Sequence, residues 1–208
     1  TVTNNMRKEA FYRFIQLMQE QPEVESVYVY LNNSMPNAMS WNGGEYQPDT
    51  LSTAEKKITH TQNYSILSAK GCDIFRTLGI KDVHTDKELT IPEDASSRNL
   101  CFISKQFALK MFGTTQVVGE KIFDYEKNPI KIGAVFQDIK TRDYSASYPL
   151  MIRLEKDIYM HDYIHKSTFI VFRLKEGVNF NQFNERFNKE VTTHMNQGNF
   201  YFDGFKSF

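Results

Sequence analysis

The order of elements at the two ends of the chain constrains its fold more than any motif does. Residues 6–20 carry Met6, Ala10, Phe14 and Leu17 on one stripe, flanked by Phe11, Ile15 and Met18, and this spacing predicts an amphipathic helix. Asn4 or Asn5 supplies its N-cap and Pro22 closes it. The short β-prone segment 1–3 precedes this helix, and residues 24–31 (VESVYVYL) follow it as an alternating strand. Near the other end the same order returns. Residues 167–174 read as a strand, Gly177 breaks it, and Asn179 caps a helix with Gln182 three residues on. Phe180, Phe183, Phe187 and Val191 form the apolar stripe of that helix, and residues 199–205 read as a closing strand. The two units differ in residues but share an order. Two strand–helix–strand units in tandem predict an α+β, ferredoxin-like sheet with both helices on one face. Everything from about residue 53 to residue 153 then lies inserted between the second and third strands.

The inserted stretch has a pattern of its own. Residues 56–69 have β character, with Ile58, Tyr64, Ile66 and Leu67 as apolar members. Residues 99–104 (NLCFIS) form an apolar run ending in Ser104, a residue that favours helix starts. Residues 105–112 place Phe107, Ala108, Met111 and Phe112 at helical spacing, and Gly113 ends that helix. Residues 117–123 (VVGEKIF) return to strand character, and 129–138 (PIKIGAVFQD) alternate before becoming solidly apolar. A polar turn at 140–147 leads to a strand at 148–154.

These residues resemble a known family. "CFISKQFALKMFG", "VVGEKIF" and "IKIGAVFQDI" follow one another as the Phe-Gly pair, the glycine-bearing segment and the strand ending in Asp do in the extracytoplasmic core domain of MacB/FtsX-type ABC transporter permeases. Upstream, "YSILSAKGCDIFRTLGI" is similar to the strand and short helix that lead into that core, and the ordered match runs over about two thirds of the chain. One departure stands out: the acidic turn common after the short helix is here the segment 81–88 (KDVHTDKE), so the family's loop contacts do not carry over.

The resemblance implies a porter-type βαβ pair, residues 1–52 and 154–208, with an inserted small α/β subdomain, residues 53–153. It implies structural roles for Phe112, Gly113, Gly119, Gly133 and Asp138. It further implies an ectodomain strung between membrane helices at the periplasmic face of a bacterial inner membrane. The partners implied are a second permease copy, a cytoplasmic ATPase domain, and a periplasmic adaptor, outer-membrane component or lipoprotein. No cofactor is implied, because in the family the nucleotide is hydrolysed by a separate domain.

Composition and motifs give little support to catalysis. Lys and Arg number 25 against 25 Asp and Glu, so the chain lacks the basic excess of a nucleic-acid binder. No stretch approaches the roughly 20 apolar residues that span a bilayer. His161 and His165 stand four apart, yet no Glu occupies the metalloprotease position and no third ligand is near. His194 continues the stripe of the last helix, His60 and His84 are isolated, and no Gly-x-Ser-x-Gly elbow or phosphate-cradling glycine loop is present. The reading is therefore of no catalytic, cofactor or metal residues. Cys72 and Cys101 are either buried thiols or a disulfide in an oxidising compartment. The polar stretch 32–53 reads as a long surface excursion, in which Trp41, with Met35 and Met39, either folds back onto the sheet or meets a partner. Trp41, Tyr46 and Tyr144 are the candidate partner contacts. Two functions fit: the ectodomain of a transporter permease that binds substrate or partner proteins and relays motion, or a free-standing binding or adhesion module.

Overall fold

The computed structural model describes residues 4–30, 44–49, 61–67, 72–91, 99–139, 149–155 and 169–195. Among them lie α1 (Asn4–Gln19), β1 (Val24–Tyr30), β2 (Gln62–Leu67), α2 (Ile74–Leu78), β3 (Leu100–Ser104), α3 (Lys105–Phe112), β4 (Lys121–Phe123), β5 (Pro129–Phe136), β6 (Leu150–Glu155), β7 (Phe169–Leu174) and α4 (Phe180–Met195). The strands form one mixed sheet in the order β4-β5-β3-β6-β2-β1-β7. β2 with β6 and β3 with β5 are parallel, while β1–β2, β1–β7, β3–β6 and β4–β5 are antiparallel. The chain is thus α+β, as expected. The expected outer strands at 1–3 and 199–205 lie outside the described residues.

Alternation along the strands separates two faces. Tyr28 of β1 joins a core with Ile74 and Phe75 of α2, Phe102, Phe136 and Leu150, Ile152 and Leu154 of β6. Its neighbours Val27 and Val29 point the other way, into a core built with Phe14, Ile15 and Met18 of α1 and Phe183, Phe187 and Val191 of α4. Met151 of β6 likewise points away from Leu150 and Ile152, into a third core with Phe107, Ala108 and Met111 of α3. So α1, α4 and α3 cover one face and α2 covers the other. The predicted stripes of the first and last helices do share a cover: Phe14 meets Phe187 edge-on at 5.8 Å.

Local signals set the helix ends. Ser104 Oγ accepts from Phe107 N at 3.3 Å and also from Leu150 N at 3.0 Å, so one hydroxyl caps α3 and ties it to β6. Asn179 Oδ1 accepts from Gln182 N at 3.2 Å, the cap expected for α4. Gln21 Nε2 donates back to Leu17 O at 3.0 Å, satisfying a carbonyl left open at the end of α1.

Two strand irregularities, one bulge and one turn, could not be read locally. On β5 the pairing jumps from Cys101↔Ile132 to Phe102↔Ala134, which leaves Gly133 unpaired. The jump reverses the alternation: Ile130 and Ile132 join Val135 on the α3 face, whereas Ala134 and Phe136 reach the α2 face. This accounts for the solidly apolar end of that strand. The strand expected at 117–123 is shorter than its apolar pattern. Gly119 has φ of 92° and Glu120 N bonds to Val117 O at 3.1 Å, so residues 117–120 turn and pairing starts only at Lys121.

Candidate functional site

The residues singled out by resemblance fall around α3 and its flanking turns. Phe112 is half-buried beside the α3 core, and Gly113, with φ of 71°, is the C-cap whose N–H donates to Leu109 O. Gly119 N donates to Ile132 O at 2.8 Å, fastening the turn to β5. Gly133 sits where a Cβ would lie 2.9 Å from Leu100 Cδ1 and 3.3 Å from Phe102 Cε1, so a larger residue there would require the Leu100 side chain to shift. Asp138 Oδ1 accepts from Gln106 N at 2.9 Å, placing a carboxylate at the N-terminus of α3, where the helix dipole favours it. Four of the five thus shape turns, a bulge and a cap.

The candidate contacts fare differently. Trp41 and Tyr144 lie outside the described residues, as do His161 and His165. Tyr46 is not at the surface: it is 4% exposed, within 6.1 Å of Phe107, in the α3 core. Its neighbour Gln47 exchanges backbone hydrogen bonds with Phe123 at 3.0 and 2.8 Å, covering the outer edge of β4. Residues 44–49 therefore pack on the 53–153 stretch, because a Tyr ring gains more from burial than a loop surface offers.

Cys72 and Cys101 are both free and buried, Cys72 under α1 and α4 and Cys101 in the α3 core. Burial pushes both thiols up to about 12; the Asp73 charge adds to this for Cys72, and Arg153 partly opposes it for Cys101. Both are held as unreactive thiols. Among the described residues, no three His, Cys, Asp or Glu side chains come together as a metal site.

The segment that departs from the family pattern forms a tight turn. The Lys81 and Glu88 backbones pair as an isolated antiparallel β-bridge, and Val83 N donates to Val135 O at 3.0 Å. The Asp82 carboxylate accepts from His84 N and Thr85 N at 2.9 and 2.8 Å. His84, isolated in sequence, spans to the next turn: Nε2 donates to Thr115 O, leaving Nδ1 to accept from Gln116 Nε2, both at 3.0 Å. Slight burial raises the Asp82 pKa, but the amides of Thr85 and His84 and the Thr85 hydroxyl outweigh it and hold the group below its ordinary value. A depressed carboxylate contributes stability above its unfolded pKa of about 4 and loses it as pH falls through the lower folded value. A carboxyl NMR titration should place the Asp82 midpoint below that of an unstructured aspartate, and Asp82→Asn should remove this part of the acid dependence.

A polar cluster joins α2 to β1 and β7. Arg173 Nε donates to Thr77 O at 3.1 Å, and its Nη1 lies 3.2 Å from Glu88 Oε1 and 3.9 Å from Glu25 Oε1. Arg76 Nε lies 3.7 Å from the same Glu25 oxygen. Behind them Thr77 Oγ1 and the buried Ser26 Oγ share a hydrogen bond of 3.1 Å. Sequence reading missed this group, since no spacing links residues 25, 77, 88 and 173.

No family model matches the chain, and no curated protein matches it. Solved structures do. The periplasmic region of MacB from Actinobacillus actinomycetemcomitans superposes with a TM-score of 0.54 at 12% identity, over 88% of this chain and 74% of that one. A domain from Porphyromonas gingivalis assigned as part of a permease gives 0.52 at 17% identity, over 86% and 75%. The extracellular domain of the noncanonic ABC-type transporter YknZ from Gram-positive bacteria gives 0.50 at 12%, over 88% and 83%. No helix among the described residues is long and apolar enough to cross a membrane. In fold, this chain is similar to the periplasmic region of MacB, to a domain of a permease protein and to the extracellular domain of the ABC-type transporter YknZ.

Proposed function

We propose that this chain is the extracytoplasmic domain of an ABC transporter permease, held at the periplasmic face of a bacterial inner membrane between membrane helices beyond these 208 residues. The observation that carries the reading is the fold shared, over 86–88% of the chain, with the periplasmic region of MacB, a permease domain and the extracellular domain of YknZ. The domain is non-catalytic. It binds substrate or partner proteins, such as a periplasmic adaptor, an outer-membrane component or a lipoprotein, and relays movement driven by a cytoplasmic ATPase. A second permease copy completes the transporter. Residues 1–52 and 154–208 act as the lever, and residues 53–153 as the part that meets the partner. Two features support a stiff lever: Phe14, Phe183 and Phe187 pack ring on ring between α1 and α4, and Arg186 ties α4 to Gln21 and Glu23, each at 2.8 Å.

The test is a disulfide crosslink between the two copies in the intact transporter. Cys72 and Cys101 are buried, so within this domain introduced surface cysteines react ahead of them. Pinning the copies should stop transport while circular dichroism and melting stay native. Undiminished transport by fully crosslinked protein sinks the relay.

A further inference from the structure

The described strands form one sheet, yet its continuity is thin at one place. Among the described residues, β1 pairs with β2 only at Tyr30↔Ile66, while β1 and β7 pair along their length. Beyond that single pair, the edge of β1 is taken up by the segment entering α2: Cys72 bridges Val27, and Asp73 N donates to Val27 O at 2.8 Å. Among the described residues, the β1–β7 pair with α1 and α4 meets the rest largely at α2 and the turn that follows it.

At that joint the backbone is shaped around Arg173. The β1–β7 register shifts between Val24 and Ser26, leaving Glu25 as the extra residue of a bulge. The bulge turns Glu25 toward the α2 side, where it meets Arg76 and Arg173. On the opposing strand Arg173 faces Ser26 in register, beside the Ser26–Thr77 hydrogen bond. Gly79 closes α2 with φ of 64°, and a Cβ there would lie 2.6 Å from Arg173 Nη2. A bulge, a left-handed glycine and two carboxylates thus converge on one guanidinium.

We propose that Arg173 is a latch that fixes the angle between the β1–β7 layer, with α1 and α4, and the rest of the sheet. Its side chain is 33% exposed and its acidic partners are also part-exposed, so the ion pairs add little to global stability. What they do is restrict orientation. The planar fork engages a helix-end carbonyl and two carboxylates in different directions, which an ammonium cannot reproduce. This deepens the proposed function and rests on it for its biological use: the latch is where a lever movement would enter the inserted part.

The test uses the isolated chain and reads geometry, not transport. Nitroxide labels at Lys110→Cys on α3 and Glu185→Cys on α4, both exposed, report the distance between the two parts by pulsed electron resonance. Arg173→Met should broaden that distance distribution at least twofold while circular dichroism stays native. Arg173→Lys should give an intermediate width. An unchanged width in folded Arg173→Met overturns the latch. Should Arg173→Met fail to fold, Glu25→Gln combined with Glu88→Gln removes both carboxylates and must broaden the distribution for the proposal to stand. A null result here leaves the transporter reading intact, whereas failure of the crosslink experiment leaves the latch intact.

Discussion

Phe187→Asp is expected to lower the free energy of unfolding by about 4 kcal/mol or more, because it buries a charge with no counter-ion in an aromatic stack. Phe187 is fully buried, edge-on to Phe14 at 5.8 Å and stacked on Phe183 at 5.6 Å. A domain holds about 5–15 kcal/mol in reserve, so the loss is a large fraction of the whole. Phe187→Leu should cost less than the about 3–5 kcal/mol of a Phe→Ala truncation, which separates lost packing from buried charge. Urea denaturation measures both, as midpoint shifts at constant slope. The two thiols then tell where the damage lies. Cys72 belongs to the core under α1 and α4, Cys101 to the core under α3, and each is shielded until its own core opens. In Phe187→Asp, Cys72 should be alkylated ahead of Cys101. A wild-type midpoint would mean that α1 and α4 do not share the layer.

Periodicity and caps are local, and they were legible. Ser104, Gly113, Asn179 and the Phe14 and Phe187 stripes each act within a few residues, so α1, α3 and α4 follow from spacing and caps. Pairing is not local. That the turn at 44–49 closes the β4 edge depends on Gln47 meeting Phe123, and nothing in the polar stretch 32–53 announces it. The same holds for the bulges at Glu25 and Gly133, which appear in sequence only as breaks in alternation. Tyr46 shows the cost: an aromatic in a polar loop reads as a contact residue, while the fold supplies an apolar pocket beside Phe107 that no local pattern reveals. The Arg173 group is the extreme case, four residues drawn from β1, α2, a turn and β7.

Phe75→Ala is expected to be as damaging as the buried charge, through a different route. α2 spans five residues, too short to hold itself, since a helix that brief does not repay its nucleation. It is fixed at its start by Asp73, whose carboxylate accepts from Phe75 N and Ile91 N at 2.9 and 3.2 Å, and in its middle by Phe75. That ring is fully buried, 4.9 Å edge-on from Phe102 and 6.1 Å from Phe136. Truncation leaves a cavity worth about 3–5 kcal/mol. No half-exposed ion pair around Arg173 offsets that, each being worth at most about 1 kcal/mol. The position of the cavity makes the outcome distinctive. The core around Phe75 runs from Tyr28 of β1 to Phe136 of β5, touching both parts of the sheet, whereas Phe187 belongs to one part alone. Phe75→Ala should therefore expose Cys72 and Cys101 to alkylation together, in one transition, where Phe187→Asp exposes them in sequence. If Cys101 keeps full protection in Phe75→Ala while Cys72 loses it, the two parts are not joined through α2, and the joint must be sought along the β1–β2 pairing at Tyr30 and Ile66 instead.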